Sequence, residues 1–171
     1  MIKLIGAILV VAGTASVGLN AVMRLKGRVG SLGTLITALD VMHSEICTRL
    51  TPMPELLEKL TALSQYPVSL FFENCRKNMK NIENASFYRI WKLSVKETPE
   101  LELTAEEEQA VGELGVMLGH YDVEEQSRAI IYTKRRVDAF LQKAVRERDT
   151  QSRMYAVLGL SSGLAVVIIL I

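Results

Sequence analysis

Gly159-Leu160-Ser161-Ser162-Gly163 is the one stretch of this chain that spells a nucleophile. The GxSxG pattern normally sets a serine on a strand–turn–helix elbow, where a histidine takes its proton. Here it lies inside an uncharged segment, Met154 to Ile171, while both histidines, His43 and His120, lie in the charged middle of the chain. A general base must reach the hydroxyl, so the pentapeptide reads as small residues for helix packing rather than as a catalytic serine. Cys47 and Cys75 are 28 residues apart and form no CxxC pair; they read as buried free thiols in a reducing compartment. Two separated histidines give neither HExxH nor a two-Cys, two-His spacing, and no GxxxxGK[ST] loop is present. No catalytic residue, metal, cofactor or small-molecule substrate is expected.

Charge offers a different chemistry. Between Glu97 and Ser127 there are ten acidic residues and no basic one. Glu106, Glu107 and Glu108 fall where a helix N-terminus would welcome them, and a solvated face accounts for the rest. The sharper reading is an acidic docking surface for a basic patch on a partner protein, with Glu106, Glu107 and Glu108 as its centre. The whole chain is nearly charge-balanced, with 20 basic and 19 acidic side chains. That balance argues against nucleic acid as a partner.

The elements that would position these groups are helical. Leu32, Leu35, Ile36, Leu39, Met42, Ile46, Cys47 and Leu50 keep a three-four rhythm, which Thr51-Pro52-Met53-Pro54 ends. Leu56, Leu57, Leu60 and Leu63 line a second helix. Pro67 opens a third with Val68, Phe71, Phe72, Cys75 and Met79, and a polar run, 80–84, precedes a fourth with Phe87, Ile90 and Trp91. After Thr98-Pro99, Thr104 and Glu107 have capping-box spacing for a fifth helix with Val111, Leu114 and Leu118 inward. Gly112 and Gly115 within it predict a close neighbour. Gly119 can end that helix at positive φ and Asp122 can cap the next, a structural turn. Gln126, one turn on, could serve either the turn or a partner. From Asp122 to Leu158 neither Gly nor Pro interrupts the pattern. No period-two alternation occurs, so the fold class is all-α, an antiparallel bundle of about six helices.

Both ends of the chain are apolar. Apart from Lys3, every charge lies between Arg24 and Arg153. Leu4 to Met23 and Met154 to Ile171 are long enough, at about 1.5 Å per residue, to cross a hydrocarbon core. The first lacks the form of a cleaved signal peptide, because Arg24, Lys26 and Arg28 follow it directly. Basic flanks on both segments predict a cytoplasmic middle. Three parts result: a transmembrane helix over 1–23, a cytosolic bundle over 24–153, and a transmembrane helix over 154–171 continuous with the last bundle helix. Ser16, Gly159 and Gly163 would lie at matching depth and pack the two spans, or an oligomer, closely in lipid.

Ala38-Leu39 through Glu45-Ile46, then Thr51-Pro52-Met53-Pro54-Glu55, Trp91 and Leu118-Gly119-x-x-Asp122-x-x-x-Gln126, set in this order between two apolar ends, resemble the stage III sporulation protein AB family over nearly the whole length. The family usually has Leu where this chain has Met53. The resemblance implies a sporulation complex in the mother-cell membrane around the forespore, and a secretion-like transport role. The soluble part is similar to a cytoplasmic domain of the type II secretion inner-membrane platform protein, which is fold-level analogy. It implies a non-enzymatic scaffold that docks a cytosolic secretion-type ATPase, stage III sporulation protein AA, beside other membrane proteins of the complex and membrane lipid, with homo-oligomerisation open. The alternative is a two-span adaptor or regulator with no ATPase partner.

Overall fold

A computed structural model describes the backbone of residues 2–81, 85–118 and 122–170, and the side chains of 20–81, 85–118, 122–151 and Met154. Six α-helices and one 3-10 turn make up the described residues: α1 (Ile2–Cys47), α2 (Met53–Leu63), α3 (Val68–Asn81), α4 (Phe87–Lys96), the turn Pro99–Leu101, α5 (Ala105–Met117) and α6 (Val123–Leu170). No strand occurs among them. The fold is an all-α bundle. Two compact units are formed, one by Met1–Lys26 with Lys143–Ile171, the other by Gly27–Gln142.

The N-terminal apolar stretch and the first amphipathic helix are one helix, not two, since α1 is unbroken over 46 residues. No proline precedes Pro52, and Gly27, Gly30 and Gly33 weaken a helix without ending it. α6 is likewise unbroken over 48 residues. Among the residues whose side chains are described, no helix is long and apolar enough to cross a membrane. The side chains of 1–19 and 155–171, including Ser16, Gly159, Ser161 and Gly163, lie outside that set, as do Gly119 and His120.

In the Gly27–Gln142 unit, α2 packs on α3, α3 on α4 and α4 on α5. Its core joins Leu32, Leu35, Leu39 and Met42 of α1 to Leu56, Leu57 and Leu60 of α2, and to Ile130 and Val137 of α6, all buried. An aromatic cluster closes the centre: Trp91 meets Phe71 edge-on with centroids 4.8 Å apart, and Phe87 at 5.7 Å. The Trp91 indole donates to the Val111 carbonyl at 2.8 Å, which satisfies its buried N–H. Gly115 lets α5 lie against the Trp91 side chain, since a Cβ there would sit 2.8 Å from Trp91 Cβ, Cγ and Cδ1. Gly112 has no such neighbour; its Cβ would meet only Lys92 Cγ at 4.0 Å.

Buried polar side chains bind α3 to α4. Asn78 donates to Ser94 Oγ at 3.0 Å and Asn74 to Thr98 Oγ1, just past α4, at 3.0 Å, while the Ser94 hydroxyl donates to the Ile90 carbonyl and the Thr98 hydroxyl to the Ser94 carbonyl. Two apolar positions depart from the expected stripes. Leu63, the last residue of α2, is 68% exposed. Leu50 is also 68% exposed and lies beyond the end of α1 with φ of 53°.

Candidate interaction surface

The α1–α2 corner is built on one buried carboxylate. Glu45, in the last turns of α1, accepts from Arg49 Nη1 at 2.7 Å, Thr51 Oγ1 at 2.6 Å and Lys59 Nζ at 2.9 Å. Its carbonyl also takes the Thr51 N–H at 3.0 Å. The Thr51 hydroxyl and the Lys59 ammonium hold the Glu45 carboxyl below the usual carboxylate range, and the same Glu45 contact raises Lys59. Pro54 sits in the first turn of α2, where its missing N–H costs nothing. The Thr51-Pro52-Met53-Pro54 motif is therefore a rigid corner pinned by Glu45.

A second buried carboxylate fixes the start of α5. Thr104 caps the helix by accepting from the Glu107 N–H, and the Glu107 carboxylate takes the Thr104 N–H at 2.8 Å. The capping box expected at this spacing is formed. Glu107 is also bracketed by Arg28 of α1, with Nη2 at 2.6 Å and Nε at 3.0 Å. Both side chains are nearly out of solvent, at 10% and 1% exposure. Glu107 therefore cannot belong to an acidic docking surface: it is consumed inside the fold by α1, 79 residues away in sequence.

The rest of the acidic run divides in the same way. Glu113 takes Gln109 and Arg136, which lower its carboxyl. Asp122 accepts from the Glu124 and Glu125 N–H groups at 2.8 and 3.3 Å and so caps α6, as its position predicts. Gln126 is buried on α6 at 7% exposure, so it offers no surface to a partner. Glu106 is exposed and Glu108 half-buried on α5, and they remain as the outward acidic edge.

The chemistry of a reactive centre is not assembled among the described residues. Residues 159–163 lie within α6, not at a strand–turn–helix elbow. His43 Nε2 instead lies 2.9 Å from Ser127 Oγ, a pair that links α1 to α6 across 84 residues and that no local spacing could reveal. A hydrolytic dyad also needs a group orienting the other ring nitrogen and donors for an oxyanion. Among the described residues nothing hydrogen-bonds that nitrogen. Burial pushes the Cys75 thiol up to about 12, far from the thiolate that reactivity requires. No group of three or more metal-ligating side chains occurs among the described residues.

These features have relatives. A solved structure of a stage III sporulation protein AB superposes with a TM-score of 0.66 at 22% identity, covering 72% of this chain and 98% of that one, and so shares the fold. No functionally curated protein matches the chain. The family described as stage III sporulation protein AB matches residues 3–171. Spanning all but the first two residues, that match means that the chain belongs to the stage III sporulation protein AB family.

Proposed function

We propose that this chain is a non-enzymatic scaffold of a sporulation transport complex, held in the membrane by its two apolar ends and docking a cytosolic secretion-type ATPase through its helical part. The observation that carries this reading is the construction of α1 and α6. Each is a single helix that holds an uncharged apolar segment and a charged, core-forming segment. Such a helix carries, in one element, both the segment suited to a bilayer and the segment that packs into the bundle. The 1–23 and 154–171 segments are the spans, 24–153 is cytoplasmic by its basic flanks, and the membrane is that of the mother cell around the forespore. Ser16, Gly159 and Gly163 would pack the spans.

Docking falls to Glu106 and Glu108, the members of the acidic trio that face outward, meeting a basic patch on the ATPase, stage III sporulation protein AA in the family's terms. Electrostatic complementarity of this kind sets association rate and partner choice. Full-length chain in detergent, used to capture proteins from sporulating cells, tests it. The ATPase should be retained, and less so with Glu106→Lys/Glu108→Lys or at raised salt. Capture that ignores charge reversal sinks the docking edge. Capture of other proteins without the ATPase sinks the scaffold reading. A chain released from membranes by alkaline carbonate would dismiss the spans separately.

A further inference from the structure

The unit formed by Met1–Lys26 of α1 and Lys143–Ile171 of α6 carries a surplus of positive charge. Its described side chains are those of 20–26, 143–151 and Met154. Among them are five cations, Arg24, Lys26, Lys143, Arg146 and Arg148, and two carboxylates, Glu147 and Asp149. Both carboxylates are engaged. Asp149 takes Arg148 at 2.8 Å, and Glu147 has a partner of its own. Lys26, Lys143 and Arg146 are exposed, and none of the three is in an ion pair among the described residues. No acidic side chain of this unit is left over for them, so their counter-charge must come from outside it.

Two exposed methionines locate these cations along the helices. Met23, the last residue of the uncharged stretch of α1, is 55% exposed, and Met154, the first of the uncharged stretch of α6, is 49% exposed. Each stands uncovered where an apolar segment gives way to a charged one. By helical rise, Lys26 lies about 4.5 Å past Met23, while Arg146 and Lys143 lie about 12 and roughly 16–17 Å before Met154. A headgroup layer extends about 5–8 Å outside the hydrocarbon, and attraction to its surface is screened over roughly a further 8–10 Å. Lys26 therefore falls within that layer, and Arg146 and Lys143 within electrostatic reach of it.

We propose that Lys26, Lys143 and Arg146 form a collar for anionic phospholipid headgroups, whose phosphodiester oxygens accept from the ammonium and guanidinium groups. This rests on the reading of 1–23 and 154–171 as spans and goes a step past it. Apolar segments dissolve in any bilayer, whereas the collar selects by headgroup charge. The acidic edge of α5 takes no part.

Full-length chain in detergent micelles, mixed with equal amounts of phosphatidylglycerol and phosphatidylcholine, tests the collar, with native mass spectrometry counting the lipids retained. The native chain should favour phosphatidylglycerol by about fivefold or more, and raised salt should erase that preference. Lys26→Gln/Lys143→Gln/Arg146→Gln alters only exposed side chains, so it should keep its Tm and lose most of the preference. Equal retention of the two lipids by the native chain overturns the proposal, as does a preference that the triple variant keeps. Inorganic phosphate that displaces phosphatidylglycerol at equal concentration would assign the collar to a soluble anion. Polyglutamate bound in place of lipid would assign it to an acidic protein. Either result overturns the proposal. Alkaline carbonate separates it from the reading beneath. A chain that stays in membranes without headgroup preference defeats the collar alone, and one that is released defeats the spans as well.

Discussion

Arg28 grips Glu107 from α1 with two nitrogens, at 2.6 and 3.0 Å, while the same carboxylate caps α5 by accepting the Thr104 N–H. One side chain thus closes a local helix end and a long-range contact between two helices. The two roles are compatible because a carboxylate has about four lone-pair sites. The fork geometry of guanidinium also fits one face of it while the cap takes another. α5 cannot rotate about its axis without losing both.

Removing one partner should therefore be severe. Arg28→Met leaves the Glu107 charge buried beside only its cap, and breaking a buried pair from one side costs roughly 3–5 kcal/mol. Glu107→Leu should cost as much or more because the capping box goes with it. The double variant should be less destabilised than the sum of the two. Urea denaturation of the three variants measures the coupling; strict additivity would mean that the two groups do not act as a pair.

The two glycines of α5 should respond in opposite directions. Gly115→Ala drives a methyl against the Trp91 side chain, 2.8 Å from its Cβ, Cγ and Cδ1, and overpacking of this kind costs roughly 1–3 kcal/mol. Gly112→Ala adds a methyl at ordinary contact distance from Lys92 and should stabilise by about 0.5–1 kcal/mol through helix propensity. Thermal melts read both, and Trp91, the sole tryptophan, should shift its emission only for the first.

The sequence pattern and the structure agree where information is local. The Thr104–Glu107 box, the Asp122 cap, Pro54 in the first turn of α2, and the buried positions Leu56, Leu57 and Leu60 of α2 and Val68, Phe71, Phe72 and Cys75 of α3 all rest on neighbours within four residues, which helix geometry brings together. What the pattern misses is non-local. Nothing near Glu107 announces Arg28, so its carboxylate reads as surface charge like Glu106 and Glu108. Leu50 continues an apolar rhythm on paper, but α1 stops at Cys47 and the Glu45 clamp turns the chain before the next inward position. Gln126 is open to either role in the sequence, and its burial on α6 is not legible from its own helix. The Gly115–Trp91 contact is intermediate: a glycine inside a helix signals a close neighbour but not which one.

Thiol chemistry gives a simple check on the bundle. Cys75 is fully buried and its thiol is raised to about 12, whereas Cys47 is half-buried on the end of α1. At pH 8 a disulfide reagent should modify Cys47 within minutes and Cys75 only after denaturant is added. Equal rates at both would mean that the α3–α4 packing around Cys75 opens readily.

The Glu45 clamp should govern the acid limb of stability. A carboxyl held below its ordinary pKa in the folded chain loses a proton more readily there than in the unfolded chain. Its contribution is therefore complete above the unfolded value of about 4.3 and disappears as pH falls through the lowered folded value. Glu113 shares that sign, so Glu45→Gln flattens the acid limb without abolishing it. At pH 7 the variant should be clearly less stable than the native chain, because Arg49, Thr51 and Lys59 lose their common acceptor. Near pH 3, below the unfolded value, the gap should be narrower, because the unfolded chain binds a proton there that the folded carboxyl resists. Urea midpoints measured at both pH values decide it, and a gap that stays constant between them would show that Glu45 holds the corner by shape rather than by charge.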